Sequence, residues 1–250
     1  MHPSLLQTDH RPWPLPESPW KWRQSWVDLA FLHYRVRAEE LQTRLPAGLR
    51  LQEFDGSAWL GVVPFRMSGV SRRPVPDIPF LHTFPELNLR TYVEHDGKPG
   101  VWFFSLDTSS WPFVFGGKYV YGLPYFHARM RHRWRDGGWC HFSSVRRGGR
   151  APFAARYRPA GDVFHAEPGT FEHWATERYC LYSHSPKRGM ERVEVHHPPW
   201  PLQKAEVILE TSGIPDAAGI SLPEGERPVC HFSKGVSVVS YGVERILPAR

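Results

Sequence analysis

Three Asp-Gly pairs constrain this chain more than any other feature: Asp55-Gly56, Asp96-Gly97 and Asp136-Gly137. A two-residue hairpin turn of the type that matches strand twist needs positive φ at both central positions, and Asp-Gly is among the few pairs that accept it. Each pair separates two strand-like runs: residues 49–54 from 57–67, 88–94 from 101–107, and 126–135 from 139–145. Between Arg129 and Arg135, arginine alternates with Met130, His132 and Trp134, the period of a strand with one basic and one apolar-leaning face. Val193 and Val195 alternate with polar neighbours, and Val236, Val238 and Val239 read as a closing strand. At least eight strands follow. Helices are few. Ala38, Leu41 and Leu45 share one helical face that Pro46 ends, and a second helix starts after Gly169 with Thr170 as N-cap and Phe171 and Trp174 inward. The 25 prolines and 21 glycines fit such a turn-rich chain. The expected fold is mainly β (α+β): one domain over residues 1–250, its antiparallel strands curling into a barrel. The Pro-rich residues 1–20 form an arm across it, and residues 215–223 a surface loop.

Several function classes drop out. The longest clean apolar run, residues 59–65, is far short of the ~18–20 residues that span a bilayer. The N-terminus has neither the basic start nor the apolar stretch of a signal peptide. Cys140, Cys180 and Cys230 are odd in number and widely spaced, which favours a reducing, cytoplasmic setting over a disulfide framework. Phosphate-binding, dinucleotide-binding and nucleophile-elbow motifs are absent. No metal site and no cofactor is expected: no C-x-x-C occurs, and His196 and His197, as strand neighbours, face opposite ways.

The net charge of +6 is concentrated. Between Arg129 and Arg158 nine arginines stand against one acid, Asp136, while the rest of the chain carries 22 basic and 24 acidic residues. Such a patch is a solvated face, an oligomer contact or a site for an anionic partner such as nucleic acid. Only six residues are lysine: Lys21, Lys98, Lys118, Lys187, Lys204 and Lys234. Lys118 sits in the aromatic stretch 116–126, which reads as a strand ending in a Gly-Leu-Pro turn. A lysine among apolar rings loses solvation, and its neutral amine can attack a carbonyl to form a Schiff base. Alternatively Lys118 reaches water, or pairs with a carboxylate such as Glu86.

The segments Leu45-Pro46-x-Gly48-Leu49, Phe84-x-Glu86-x-Asn88-x-Arg90-Thr91-Tyr92-Val93, Phe103-Phe104-Ser105-Leu106-Asp107, Leu123-Pro124-Tyr125, Thr176-Glu177-Arg178-Tyr179 and Trp200-Pro201-Leu202 resemble those of the YqjF-like proteins, bacterial members of the acetoacetate decarboxylase-like superfamily. The resemblance covers residues 22–204. It implies a conical antiparallel β-barrel around a buried pocket, and a homo-oligomer. Decarboxylases of the superfamily carry a Gly-Arg-Glu segment, then an aromatic-Pro-Lys-Lys in which the first lysine forms the Schiff base. Here Gly117-Lys118-Tyr119 takes the first place, and the two lysine positions fall on Tyr125 and Phe126, neither of which can form an imine. The superfamily's N-terminal arginine falls near Val27, with Arg23 close by. Glu86 falls where the decarboxylases keep a catalytic glutamate, and Arg90 follows on the same strand face.

Three functions follow. In the first, the barrel binds a small carboxylate or oxo-acid and is not a true acetoacetate decarboxylase. Glu86, Lys118 and Tyr125 are its candidate catalytic residues, and Arg90, Tyr121 and Phe126 bind the ligand. In the second, Lys118 replaces the missing nucleophile and the protein is a Schiff-base lyase or decarboxylase-like enzyme. In the third, the basic patch binds nucleic acid, against which stands the alternation of arginines and aromatics to opposite faces. No membrane partner is expected.

Overall fold

A computed structural model describes residues 2–74, 83–185 and 188–246. In chain order the strands are β1 (Trp22–Val36), β2 (Arg50–Leu51), β3 (Ala58–Arg72), β4 (Phe84–His95), β5 (Lys98–Thr108), β6 (Tyr125–Arg135), β7 (Trp139–Arg146), β8 (Phe153–Phe164), β9 (Cys180–Ser185), β10 (Gly189–His196), β11 (Leu202–Ser212) and β12 (Val229–Ile246). All join one sheet in the order β10-β9-β5-β6-β7-β8-β11-β12-β1-β3-β4-β2. Two further pairings, β10 with β12 and β5 with β4, close it on itself. The pairings are antiparallel except β5 with β6 and β5 with β9.

The closures make two circuits that share one wall, β12-β1-β3-β4-β5. At the wall's edges the circuits part. Along β5, Val101 and Trp102 pair with β9, whereas residues 106–108 pair with β6. Along β12, residues 231–233 pair with β11, and Val239 to Ile246 with β10. A wall between two interiors must bury both faces, so its strands read as nearly continuous apolar runs. On β3, Leu60 and Val62 enter one core with Leu32, Leu87 and Phe232, while Val63 and Phe65 enter the other with Phe31 and Val238. The outer strands β6, β8 and β11 instead alternate, over much of their length, more buried with less buried residues.

Asp55-Gly56 and Asp96-Gly97 form the expected turns, with φ of 52° and 66°, and 49° and 71°. The third differs: Asp136, Gly137 and Gly138 make a three-residue turn in which the two glycines take positive φ, leaving Arg135 opposite Trp139. The run 49–54 also departs from a simple hairpin, because Leu51 pairs with Val93 of β4. The helices are α1 (Ala38–Gln42), α2 (Trp111–Val120), α3 (Phe171–Thr176) and α4 (Ile214–Ala217). Thr170 caps α3 by accepting from the His173 amide, and Phe171 packs on Trp59. Two expectations are corrected. The stretch 116–126, expected to begin as a strand, begins inside helix α2, and the segment 215–223 overlaps the helical turn α4 and buries Ile220 fully beyond it. The arm latches to β10: Arg11 and Trp13 both donate to Glu194 at 2.9 Å.

A bulge in β1 aims the cavity side of the wall. Asp28 takes φ 55° where the register of β1 against β3 shifts by one residue, so Gln24 and Trp26 share a face with Leu29 and Phe31. Its carboxylate is held by Lys234 at 2.9 Å and Arg66 at 3.3 Å. Across from it Gly235 has φ 135°, and a Cβ there would meet the Trp26 carbonyl at 2.2 Å. We therefore expect Gly235→Ala to cost about 1–3 kcal/mol, the range for forcing atoms into a packed site, read as a lower melting temperature. Gly116→Ala, in helix α2 with nothing within 4 Å of the new methyl, serves as the comparison and should hold or raise the melting temperature, since alanine is the better helix former.

Candidate functional site

On β4 the two-residue period sends Leu87 and Leu89 into one core and Glu86, Asn88 and Arg90 to the other side of the wall. There they line a chamber of about 100 Å³. Gln24 and Trp26 of β1 form another side, Leu123 and Tyr125 enter from the turn after α2, and Thr176 and Arg178 from the end of α3. A second chamber of about 360 Å³ adjoins it, and Gln24, Trp26, Met67, Leu123 and Tyr125 line both.

Burial decides the chemistry. Glu86 is 2% exposed, and loss of solvation raises its pKa to about 8, opposed by the Tyr125 hydroxyl that donates to it at 3.0 Å. Asp107 pushes the same way, although its own charge is held by Arg146 at 2.6 Å. Tyr125 in turn rises well above a free phenol through burial and the neighbouring carboxyl. At neutral pH the pair is therefore protonated at both ends.

Two guanidinium groups lie beside this pair. Arg90 donates to the Ala175 carbonyl at 3.3 Å and the Tyr92 hydroxyl at 3.4 Å. Arg178 donates to the Trp174 carbonyl and the Gln52 side-chain carbonyl, each at 2.5 Å. All four acceptors are neutral. Burial, with the nearby charge of Arg90 among the further causes, lowers the Arg178 pKa to about 10, so it stays charged. Among the described residues, Arg90 Nε, Arg178 Nη2, Trp26 Nε1 and Asn88 Oδ1 are buried without a hydrogen-bond partner. Buried polar atoms in folded proteins are nearly always paired, so four in the residues lining one chamber are an unusual concentration. Three of the four are donors.

The expected site residues divide. Glu86, Arg90 and Tyr125 meet in the inner chamber, and Tyr121 lines the outer one, its hydroxyl accepting from Trp22 Nε1 at 2.5 Å. Lys118 and Phe126 lie elsewhere. Because 111–120 is a helix, Gly117 rests on the Tyr125 ring and the next residue, Lys118, turns out to solvent, into a separate surface groove. Phe126 follows Tyr125 on a strand and so faces outward, with the Arg146 guanidinium 3.8 Å above its ring. Among the described residues no lysine lines either chamber, and Lys187 lies outside them. Arg23 alternates away from Gln24 and Trp26, toward His2 of the arm. Sequence reasoning missed Asn88, Arg178 and Trp26. The first two stood within the family-like segments, and for Asn88 its polar character between Leu87 and Leu89 was the signal.

The basic stretch is less uniform in space than in sequence. Arg146 pairs with Asp107, Arg156 with Glu210 and Arg158 with Glu206, whereas Arg129, Arg131, Arg133 and Arg135 stand exposed along β6.

The buried carboxyl has a consequence for stability. Between the ordinary carboxyl pKa of 4.5 and the raised value of about 8 the folded state holds a proton that the unfolded state has released. Stability then falls as pH rises through that window, by at most about 1.4 kcal/mol per pH unit from this group. Glu86→Gln keeps the shape and removes the titration, so melting temperature plotted from pH 5 to 8 should slope less in the variant than in the wild type.

With this geometry in place, comparison with known proteins is informative. The chain is 38% identical over 232 residues to the uncharacterized protein YqjF of Bacillus subtilis (strain 168), covering 92% of this chain and 95% of that one. Among solved structures it is similar to the enduracididine biosynthesis enzyme MppR complexed with pyruvate, with TM-score 0.67 and 15% identity over 92% of each chain. It is also similar to acetoacetate decarboxylase from Legionella pneumophila, with TM-score 0.63 and 12% identity over 96% of this chain and 93% of that one. Identities this low carry the fold alone. Among the described residues no helix is long and apolar enough to cross a membrane. Residues 23–237 match DUF2071, described as an uncharacterized conserved protein, and the chain belongs to that family, on an acetoacetate decarboxylase-like fold.

Proposed function

We propose that the inner chamber binds a small carboxylate or oxo-acid. The observation that carries this is the buried guanidinium of Arg178 beside the half-buried one of Arg90: their hydrogen bonds go to neutral acceptors, and among the described residues Arg178 Nη2 and Arg90 Nε are buried without a partner. Burying positive charge without a counter-charge is costly, and an anionic ligand supplies the missing half. Charge-assisted hydrogen bonds from Arg90 and Arg178 would hold the carboxylate, while Glu86 and Tyr125 face the ligand as proton donors toward a carbonyl or enolate oxygen. The pyruvate complex of MppR supports an oxo-acid in a barrel of this shape.

A Schiff-base mechanism through Lys118 has no comparable support, because the amine is on the outer face of α2. The Tyr125 position keeps contact with Glu86 through a hydroxyl, which can donate a proton but cannot form an imine. The chemistry favoured here is recognition with proton donation rather than covalent capture.

Titration calorimetry with pyruvate and longer oxo-acids tests the reading. Arg90→Ala and Arg178→Ala should each weaken binding about tenfold to a hundredfold, the worth of a hydrogen bond to a charged group. Lys118→Ala should leave it unchanged, and borohydride added to the mixture should leave no adduct on Lys118 by intact mass. Undiminished affinity in both arginine variants would remove the proposal. Affinity should also fall as pH rises through about 8, where ionised Glu86 adds a second negative charge to the chamber, and Glu86→Gln should flatten that profile.

A further inference from the structure

The inner chamber does not end at a closed wall. Its lining at Trp26, Met67, Leu123 and Val195 is shared with the outer chamber, which is more than three times larger, at about 360 Å³ against about 100 Å³. The two differ in chemistry. The inner one holds Glu86, Asn88, Arg90 and Arg178, whereas the residues that line the outer one alone are mainly apolar, Trp22, Val70, Phe113, Tyr121 and Val193 with Ser71 and Ser240. Its charged residue is Arg72, exposed at the outer rim near the exposed Pro112, so the cavity runs from surface to buried head. A ligand as small as pyruvate would occupy the polar end and leave the apolar end wet.

From this we infer that the ligand is amphipathic: an oxo-acid or carboxylate whose head meets Arg90 and Arg178 and whose unbranched or aryl tail passes Trp26 and Leu123 into the outer chamber. The inference rests on the carboxylate reading above and adds the ligand's other half. Trp26 fits the junction. Its ring faces both chambers and stacks on Trp200 with centroids 6.0 Å apart, while its buried Nε1 lacks a partner where the head would end. Tyr125 spans the same junction, with its hydroxyl on Glu86 in the inner chamber and its ring among the residues of the outer one. The polar-to-apolar change along the cavity thus falls at one pair of side chains. Specificity in this arrangement comes from the tail, since any small oxo-acid satisfies the head.

The test is a chain-length series on the wild-type protein: unbranched 2-oxo acids from three to ten carbons, with phenylpyruvate, measured by calorimetry. Affinity should rise about fourfold per added methylene, the gain for moving one from water to an apolar site, and then level off once the outer chamber is full. Val193→Asp, which alters the outer chamber alone, should abolish the rise and spare pyruvate. Phe113→Ser should blunt the rise without adding a charge. Equal affinity for pyruvate and the eight-carbon acid, with both still lost in Arg90→Ala, would overturn the tail and leave the head-group reading standing. A rise untouched by either outer-chamber variant would likewise overturn it. Failure of every acid to bind would overturn the carboxylate reading itself.

Discussion

The molecule depends on a wall that belongs to two interiors. Strands β12, β1, β3, β4 and β5 bury both faces, and each successive side chain must suit a different environment. One side is packed solid by Leu32, Leu60, Leu87, Phe142 and Tyr157. The other contains the cavity, which stays open beside a rigid partition because the packed side supplies the burial that holds the partition in place. The bulge at Asp28 belongs to the same logic. Without its one-residue shift, Gln24 and Trp26 would face the solid core, and their polar atoms would meet close-packed apolar side chains.

The electrostatics of the two buried charged groups near the wall are instructive side by side. Asp107 and Arg146 satisfy each other with hydrogen bonds of 2.6–3.0 Å, a closed structural pair. Among the described residues Arg90 and Arg178 have no such partner, and Glu86, the carboxyl those residues bring to the chamber, is kept neutral by the burial that also makes the Arg178 charge expensive. Low dielectric therefore separates a finished ion pair from an unfinished one. The second arrangement is the one from which a binding site can be argued, since the protein carries a cost there that its own residues do not offset.

Much of this was legible in the chain itself. The Asp-Gly turns announced the hairpins because few dipeptides tolerate their backbone, and Thr170 announced α3 because its hydroxyl is a cap. The shared face of Glu86 and Arg90 followed from strand period alone. Other parts were hidden for physical reasons. Helix α2 is rich in residues that favour strands, Phe113, Val114, Phe115, Tyr119 and Val120, and its contact with the Tyr125 ring, where Gly117 leaves no room for a Cβ, is a tertiary feature that local preference does not show. With that error corrected, Lys118 leaves the cavity. Arg178 was hidden by distance, since its approach to Arg90 depends on β9 pairing alongside β5, a contact between segments some eighty residues apart. The basic stretch misled because a window along the sequence cannot see Glu206 and Glu210 arriving on the neighbouring strand.

The division of the wall into a packed side and an open side also bears on how such proteins diverge. Alternate positions along β4 answer to separate demands: Leu87 and Leu89 to the fold, Glu86, Asn88 and Arg90 to whatever occupies the chamber. Substitutions on the open side can change the chemistry without unpacking the core beneath. Structures of the same shape at 12–16% identity are the outcome to be expected from a scaffold whose inheritance and invention lie on opposite faces of the same strands.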